Sequence, residues 1–242
     1  MSVSQSNRNP VGNKLLATLS REEYERLLPN LELISLSSEQ VLYEVSQPIK
    51  YVYFPINGVC SVLNVMQDGQ GIEAATVGNE GMIGVPLLLG THQIPMQAIS
   101  QIPSDAWGMR ADVFIRQVYW GCPLHTLLLR YMQTLMNQIS QTAACNRLHP
   151  VEKRCCRWLL MTRDRVESNE FPLTPEVLSM MLGVGRSSRA EVVARLGKAG
   201  LIRYEGGTMT ILNPQGLELA VCECYQVLKQ EFDRLPELAT SI

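Results

Sequence analysis

The sequence predicts an α+β fold, with an N-terminal antiparallel β-domain, a long helix and a C-terminal winged helix-turn-helix. Three observations predict it. Between Leu31 and about Val113, short β-branched or aromatic runs alternate with turn dipeptides. From Pro123 to about Ala144, apolar residues recur at steps of three and four. From Phe171 to Asn213, two short helical patterns meet at Gly183-Val184-Gly185 and lead into a hairpin pattern.

The opening residues, MSVSQSNRNPVGN, are polar and have no apolar segment behind them, so neither a secretory signal nor a transit peptide is expected in them. Residues 1–14 are read as a disordered leader. Residues 15 to 29 have apolar side chains at helical spacing, Ser20 placed to cap and Pro29 to stop the helix. The β-runs follow: Val41 to Tyr43, Tyr51 to Phe54, Val59 to Val65 and Ala74 to Val77. Asn57-Gly58, Asp68-Gly69 and Gly78-Asn79 separate them as turns that tolerate positive φ. Many short strands so punctuated read as a sandwich or barrel, placed at residues 15–120.

Within residues 121–148, Leu124, Leu128, Tyr131, Leu135 and Ile139 form the predicted stripe, broadened by Leu127, Leu129, Met132 and Met136. A stripe this wide can cover the chain's own sheet and leave a seam for a twofold-related copy, so the helix is expected to dimerise. After His149-Pro150 a further helix runs from Val151 to about Arg165, and the polar stretch Glu167 to Glu170 separates it from the rest of a C-terminal domain, residues 149–242.

In that domain Thr174-Pro175 reads as an N-cap followed by proline at the first helical position. Val177, Leu178, Met181 and Leu182 supply the apolar face of the first short helix. The second runs from about Arg186 to Ala199, turns Val192, Val193 and Leu196 inward, and stops at Gly200. Leu201 to Tyr204, the turn Glu205-Gly206-Gly207, and Thr208 to Leu212 form the hairpin. This layout leaves Arg186, Ser187, Ser188 and Arg189 at the exposed start of the second helix, where such motifs meet base edges in the major groove. Arginine can grip guanine through two hydrogen bonds, and serine can contact bases or phosphates. Thr174 and Lys198 complete the expected contact set with double-stranded DNA. Arg186, Arg189, Arg195, Lys198 and Arg203 against the single acid Glu191 make this a markedly basic segment.

The net charge of −2 does not by itself point to nucleic acid; phosphate contacts need only one positive face. No stretch approaches the roughly 18 uninterrupted apolar residues of a membrane span, and the cytoplasm is the expected compartment. The seven cysteines are odd in number and form no regular disulfide framework or zinc-type CxxC pairs. Cys155-Cys156 and Cys222/Cys224, with His149 as a helper, invite a metal or redox reading, but packing as small hydrophobes is preferred; no metal or cofactor is expected. No HExxH, GxSxG or phosphate-binding GxxxxGK[ST] occurs, so an enzyme is not expected.

The segments YFPINGVCSVL and ATVGNEGMIG, the long central helix, and LTPEVLSMMLGVGRSSRAEVVARLGKAGLI together resemble the Crp/Fnr family of bacterial regulators, over nearly the whole chain from about Leu15. The resemblance implies a β-roll of the cyclic-nucleotide-binding jelly-roll type, a homodimer on a palindromic operator, and RNA polymerase as a partner. In cyclic-nucleotide-binding members, a glycine-glutamate pair is followed by an arginine that holds the phosphate. Here Glu80-Gly81 resembles the start of that cassette, but THQIPMQAISQIPSDAW contains no arginine. A buried phosphate would lack its cation, so cyclic nucleotide is not expected, and an unidentified effector would bind near Glu80 and Gly81. The N-terminal cysteine cluster of the iron-sulfur branch is missing, since the first cysteine is Cys60. The recognition segment keeps Arg186 but places Glu191 near the family's later arginine, so the half-site is expected to differ.

Overall fold

The computed structural model describes residues 12–235. Two short helices, α1 (Lys14–Ala17) and α2 (Arg21–Leu27), precede a run of seven strands: β1 (Glu32–Leu36), β2 (Gln40–Tyr43), β3 (Tyr51–Pro55), β4 (Val59–Val65), β5 (Gly71–Val77), β6 (Gln97–Ile102) and β7 (Ser104–Arg110). Helices α3 (Ala111–Gln117), α4 (Pro123–Leu148) and α5 (Val151–Val166) follow. Then come β8 (Glu170–Pro172), α6 (Pro175–Leu182), α7 (Arg186–Lys198), β9 (Ile202–Glu205), β10 (Thr208–Ile211), α8 (Pro214–Ala220) and α9 (Cys224–Asp233).

The single N-terminal helix expected from the sequence is broken in two. Ser20 caps α2, accepting from the Glu23 N–H at 3.2 Å, and Pro29 falls in a short 3-10 turn. The expected leader lies outside the described residues as far as position 11. Its last residues are ordered, contrary to expectation. Asn13 is fully buried, its Nδ2 donating to the carbonyls of Pro55 and Gly81 at 2.9 Å while its Oδ1 caps α1. A side-chain amide that satisfies three backbone groups fixes the chain at that point.

The strands form two antiparallel sheets, ordered β1-β7-β3 and β2-β6-β4-β5. Alternation along each strand builds the space between them: Val52 and Phe54, Trp107 and Met109, and Cys60 face a core that also takes Leu15, Leu16 and the first half of α4. The second sheet is covered on both faces. Val59 and Leu63 pack with Cys155, Trp158 and Leu159 of α5 in a second core that continues into α6, α7 and α8. Double coverage explains why β4 reads as a nearly continuous apolar run. The polar residues of this outer face are joined: Ser61 Oγ donates to Glu73 and Gln101, and the Trp158 indole N–H points at Glu73 from 3.5 Å. Burial pushes the Glu73 carboxyl up to about 7, against the opposing pull of Ser61, Arg157 and Trp158.

Two of the three turn glycines behave as the dipeptides suggested, with Gly58 at φ +85° and Gly69 at φ +81°. Gly78 is there for a different reason. A Cβ at that position would lie 2.5 Å from Cγ and Cδ of Arg165, so glycine admits the side chain of α5.

Candidate nucleic-acid interface

The helix pair begins where local chemistry places it. Thr174 Oγ1 accepts from the Val177 N–H at 3.2 Å, and Pro175 occupies the first turn of α6. Gly183 ends α6 in the left-handed region at φ +60°, which permits the sharp turn into α7. Val177, Leu178, Met181, Leu182, Val192 and Leu196 are all buried in the second core. The first turn of α7 stays outside that core. Gly185 caps it without a side-chain bond, so the leading N–H groups stay open, and Arg186, Ser187 and Ser188 are exposed around them. An open helix N-terminus flanked by a guanidinium and two hydroxyls suits a phosphate or an acceptor-rich base edge.

Not every expected contact residue points outward. Arg189 is half-buried and turned back onto α6, its Nη1 donating to the Pro175 carbonyl at 2.9 Å and to Ser179 Oγ at 3.2 Å. It holds the two helices at their angle. The Thr174 hydroxyl is likewise occupied as a cap. Lys198 is exposed at the far end of α7, and Arg195, also exposed, pairs with Glu152 at 3.2 Å.

The wing is larger than the expected hairpin. β10 pairs with β9 on one side and on the other with β8, which begins at Glu170, the last residue of the expected spacer. Tyr204 of β9 ties the wing to the helix pair by donating to the Leu173 carbonyl at 2.9 Å. Gly206 and Gly207 both adopt positive φ at its tip.

The long helix corrects the expected seam. Leu124, Leu128 and Tyr131 are fully buried in the protomer's own core, with Tyr131 Oη donating to the Met82 carbonyl. They are consumed by the β-domain and cannot meet a second copy. Leu135 is half-buried against the same core. Of the five, only Ile139 is exposed. It shares a face with Leu129, the half-buried Met132, and Met136, which is 56% exposed, at steps of three and four.

Near the expected effector position, Gly81 packs against the Tyr131 ring, where a Cβ would lie 2.3 Å from Oη. Glu80 is buried, and Oε1 receives Nη2 of Arg165 at 2.7 Å and Nε at 2.8 Å. No local pattern announces this partner, which lies 85 residues away on α5. A cleft of about 180 Å³ opens beside the pair between the Asn79-Glu80 loop, α5 and α9, with Lys14, Tyr225 and Phe232 among its walls.

A profile of the Crp-like helix-turn-helix domain matches residues 153–220, and one of the cyclic nucleotide-binding domain matches residues 33–118. The chain belongs to the Crp/Fnr family. No curated protein matches it by sequence. Among solved structures, this Crp/Fnr-family chain resembles FixK2 from Bradyrhizobium japonicum, with 14% identity and a TM-score of 0.66, covering 79% of this chain and 98% of that one. It also resembles a CRP-family transcriptional regulator from Thermus thermophilus, with 18% identity, coverage of 77% and 95%, and a TM-score of 0.65. A third is CLP, the c-di-GMP responsive global regulator of Xanthomonas campestris, with 14% identity, coverage of 80% and 100%, and a TM-score of 0.63. At these identities the likeness is one of fold, and that fold is the one Crp/Fnr-type DNA-binding transcription regulators use. Among the described residues no helix is long and apolar enough to cross a membrane.

Proposed function

We propose that this Crp/Fnr-family chain is a homodimeric transcription regulator that reads a roughly palindromic operator with the first turn of α7. The observation that carries the reading is the exposure of Arg186, Ser187 and Ser188 around a helix N-terminus without a side-chain cap, on a helix pair whose apolar face is buried. Arg186 supplies base contact, while Arg189 and Thr174 keep the pair in shape. The two-fold seam is the face of α4 bearing Leu129, Met132, Met136 and Ile139, joined by the spacing of a heptad. The β-domain, residues 15–120, and the C-terminal domain, residues 149–242, then meet across the dimerising helix. The protein acts in the cytoplasm, on DNA and with RNA polymerase, as its family does.

Cyclic nucleotide is not part of this reading. Glu80 already has a buried guanidinium as its partner, and no arginine follows it in residues 91–107. A nucleotide would have to displace that buried ion pair, and residues 91–107 offer its phosphate no arginine.

Selection from random duplex DNA at fixed moderate salt, with no effector added, tests the proposal. An enriched palindrome for the wild type, lost or relaxed by Arg186→Ala, is the expected result. Salt-sensitive binding without any motif, indifferent to Arg186→Ala, would overturn it.

A further inference from the structure

Four side chains that are far apart in sequence meet where the end of α4 touches the start of α9. Cys145 lies in the last turn of α4, and His149 caps that helix one turn later, on the same side. Cys222 sits in the loop after α8, and Cys224 is the first residue of α9. Their ligand atoms all fall within 4.8 Å of one another, and the three cysteines are buried. Cys145 Sγ is 3.6 Å from Cys222 Sγ, and Cys224 Sγ is 3.6 Å from His149 Nδ1.

The two 3.6 Å separations match those between ligands of a tetrahedral metal ion. A tetrahedral ion with metal–sulfur bonds of about 2.3 Å and a metal–nitrogen bond of about 2.0 Å holds its sulfurs about 3.8 Å apart and sulfur from nitrogen about 3.6 Å apart. We propose that Cys145, His149, Cys222 and Cys224 bind one zinc ion, which fastens the C-terminal end of α4 to the N-terminal end of α9.

The surroundings supply what such a centre needs. A ligating imidazole is normally oriented by an acceptor on its other nitrogen. His149 Nε2 lies 3.3 Å from Glu223 Oε1, which leaves Nδ1 free to face the cysteines. Gln141 Nε2 donates to Cys224 Sγ at 3.0 Å, as an amide does toward a thiolate. On binding, the three thiols lose three protons to solvent, and with a neutral imidazole the centre carries one net negative charge. The Arg157 guanidinium, buried within electrostatic reach of Cys145, is placed to balance that charge. Sequence spacing hides the set: the pairs C-x3-H and C-x-C are 73 residues apart from His149 to Cys222 and match no common zinc motif.

The test uses the full chain, purified under reducing conditions and titrated with cobalt(II). One cobalt per chain is expected, with the visible absorption of a tetrahedral thiolate-rich centre, displaced by one equivalent of zinc. X-ray absorption on the zinc form should then show three sulfurs at about 2.3 Å and one nitrogen at about 2.0 Å. Glu223→Gln is expected to weaken zinc about 10- to 100-fold with that ligand shell unchanged. Cys145→Ser and Cys222→Ser should each lose the cobalt band, and His149→Cys should retain tetrahedral binding with four sulfurs, which separates loss of a ligand from loss of the fold. An octahedral oxygen-rich cobalt spectrum, no stoichiometric binding, or a Cys145–Cys222 disulfide in the reduced preparation would each overturn the proposal. None of these readouts depends on whether the chain binds DNA.

Discussion

Replacing Arg165 by methionine removes the guanidinium that joins the two domains and leaves Glu80 buried beside an aliphatic chain. The side chains of the pair are 6% and 10% exposed, so solvent screens their attraction poorly. The guanidinium makes four bonds: two to Glu80 at 2.7 and 2.8 Å, one to the Met161 carbonyl at 3.2 Å and one to the Thr76 carbonyl at 3.4 Å. Removing one partner of a buried pair costs about 3–5 kcal/mol, most of it the burden of the unpaired charge left behind. Arg165→Met is therefore expected to lower stability by that amount. Glu80→Gln alone strands the arginine instead, and the double variant should recover about 1–3 kcal/mol relative to the sum of the singles. Urea titration followed by circular dichroism and by tryptophan fluorescence provides the cycle. Two probes are required because separate transitions would show the domains parting before they unfold. If the two single losses add to the double within about 0.5 kcal/mol, or if Arg165→Met costs less than about 1 kcal/mol as exposed pairs do, the coupling argument fails.

Gly78→Ala should cost about 1–3 kcal/mol, because the new methyl meets Cβ, Cγ and Cδ of Arg165 at 2.8 Å or less and the base of that side chain cannot swing away; the urea midpoint measures it. Glu73 introduces a pH dependence whose sign is opposite to that of a salt-bridged acid. Its folded-state value, pushed up to about 7 by burial, lies above the ordinary carboxylate range, so the folded chain holds the proton longer. Its contribution is fully present below about pH 4.5 and is lost as pH rises through 7. Glu73→Gln should flatten the stability profile between pH 5 and 8, and an unchanged slope would refute the assignment. Met136→Arg on the exposed face of α4 should weaken self-association at least tenfold by sedimentation. Leu128→Ala, cut from the protomer's core, should cost about 2–5 kcal/mol of stability and leave the stoichiometry alone.

The parts of the molecule legible in the sequence are those determined by neighbours along the chain. The cap at Thr174-Pro175, the turn at Gly183 and the stop at Gly200 rest on backbone conformations that only certain residues adopt, and the elements fall where those residues sit. The strands β2 to β5 were legible for the same reason, being bracketed by turn residues. Periodicity identified α4 but could not say which half of a broad stripe the β-domain would consume, because Leu128 and Ile139 are equally apolar and differ only in what lies opposite. β8 was missed because three polar-flanked residues carry no period; it exists only through its pairing with β10. The Glu80–Arg165 pair and the cysteine–histidine cluster depend on chain segments more than 70 residues apart, and no local pattern announces either.

The contact between α6 and the sheet carries a mechanical consequence. Met181 meets Ser61 Oγ through its sulfur at 3.7 Å, and Met180 lies 3.5 Å from where a Cβ on Gly71 would stand. The α6–α7 pair is thus tethered at a further place, besides the His149-Pro150 junction, the core under α5 and the Glu80–Arg165 pair. A rigid body held at several points that do not share a line has no free axis, so in this conformation any reorientation of α7 against the sheet must first peel α6 from the β-domain.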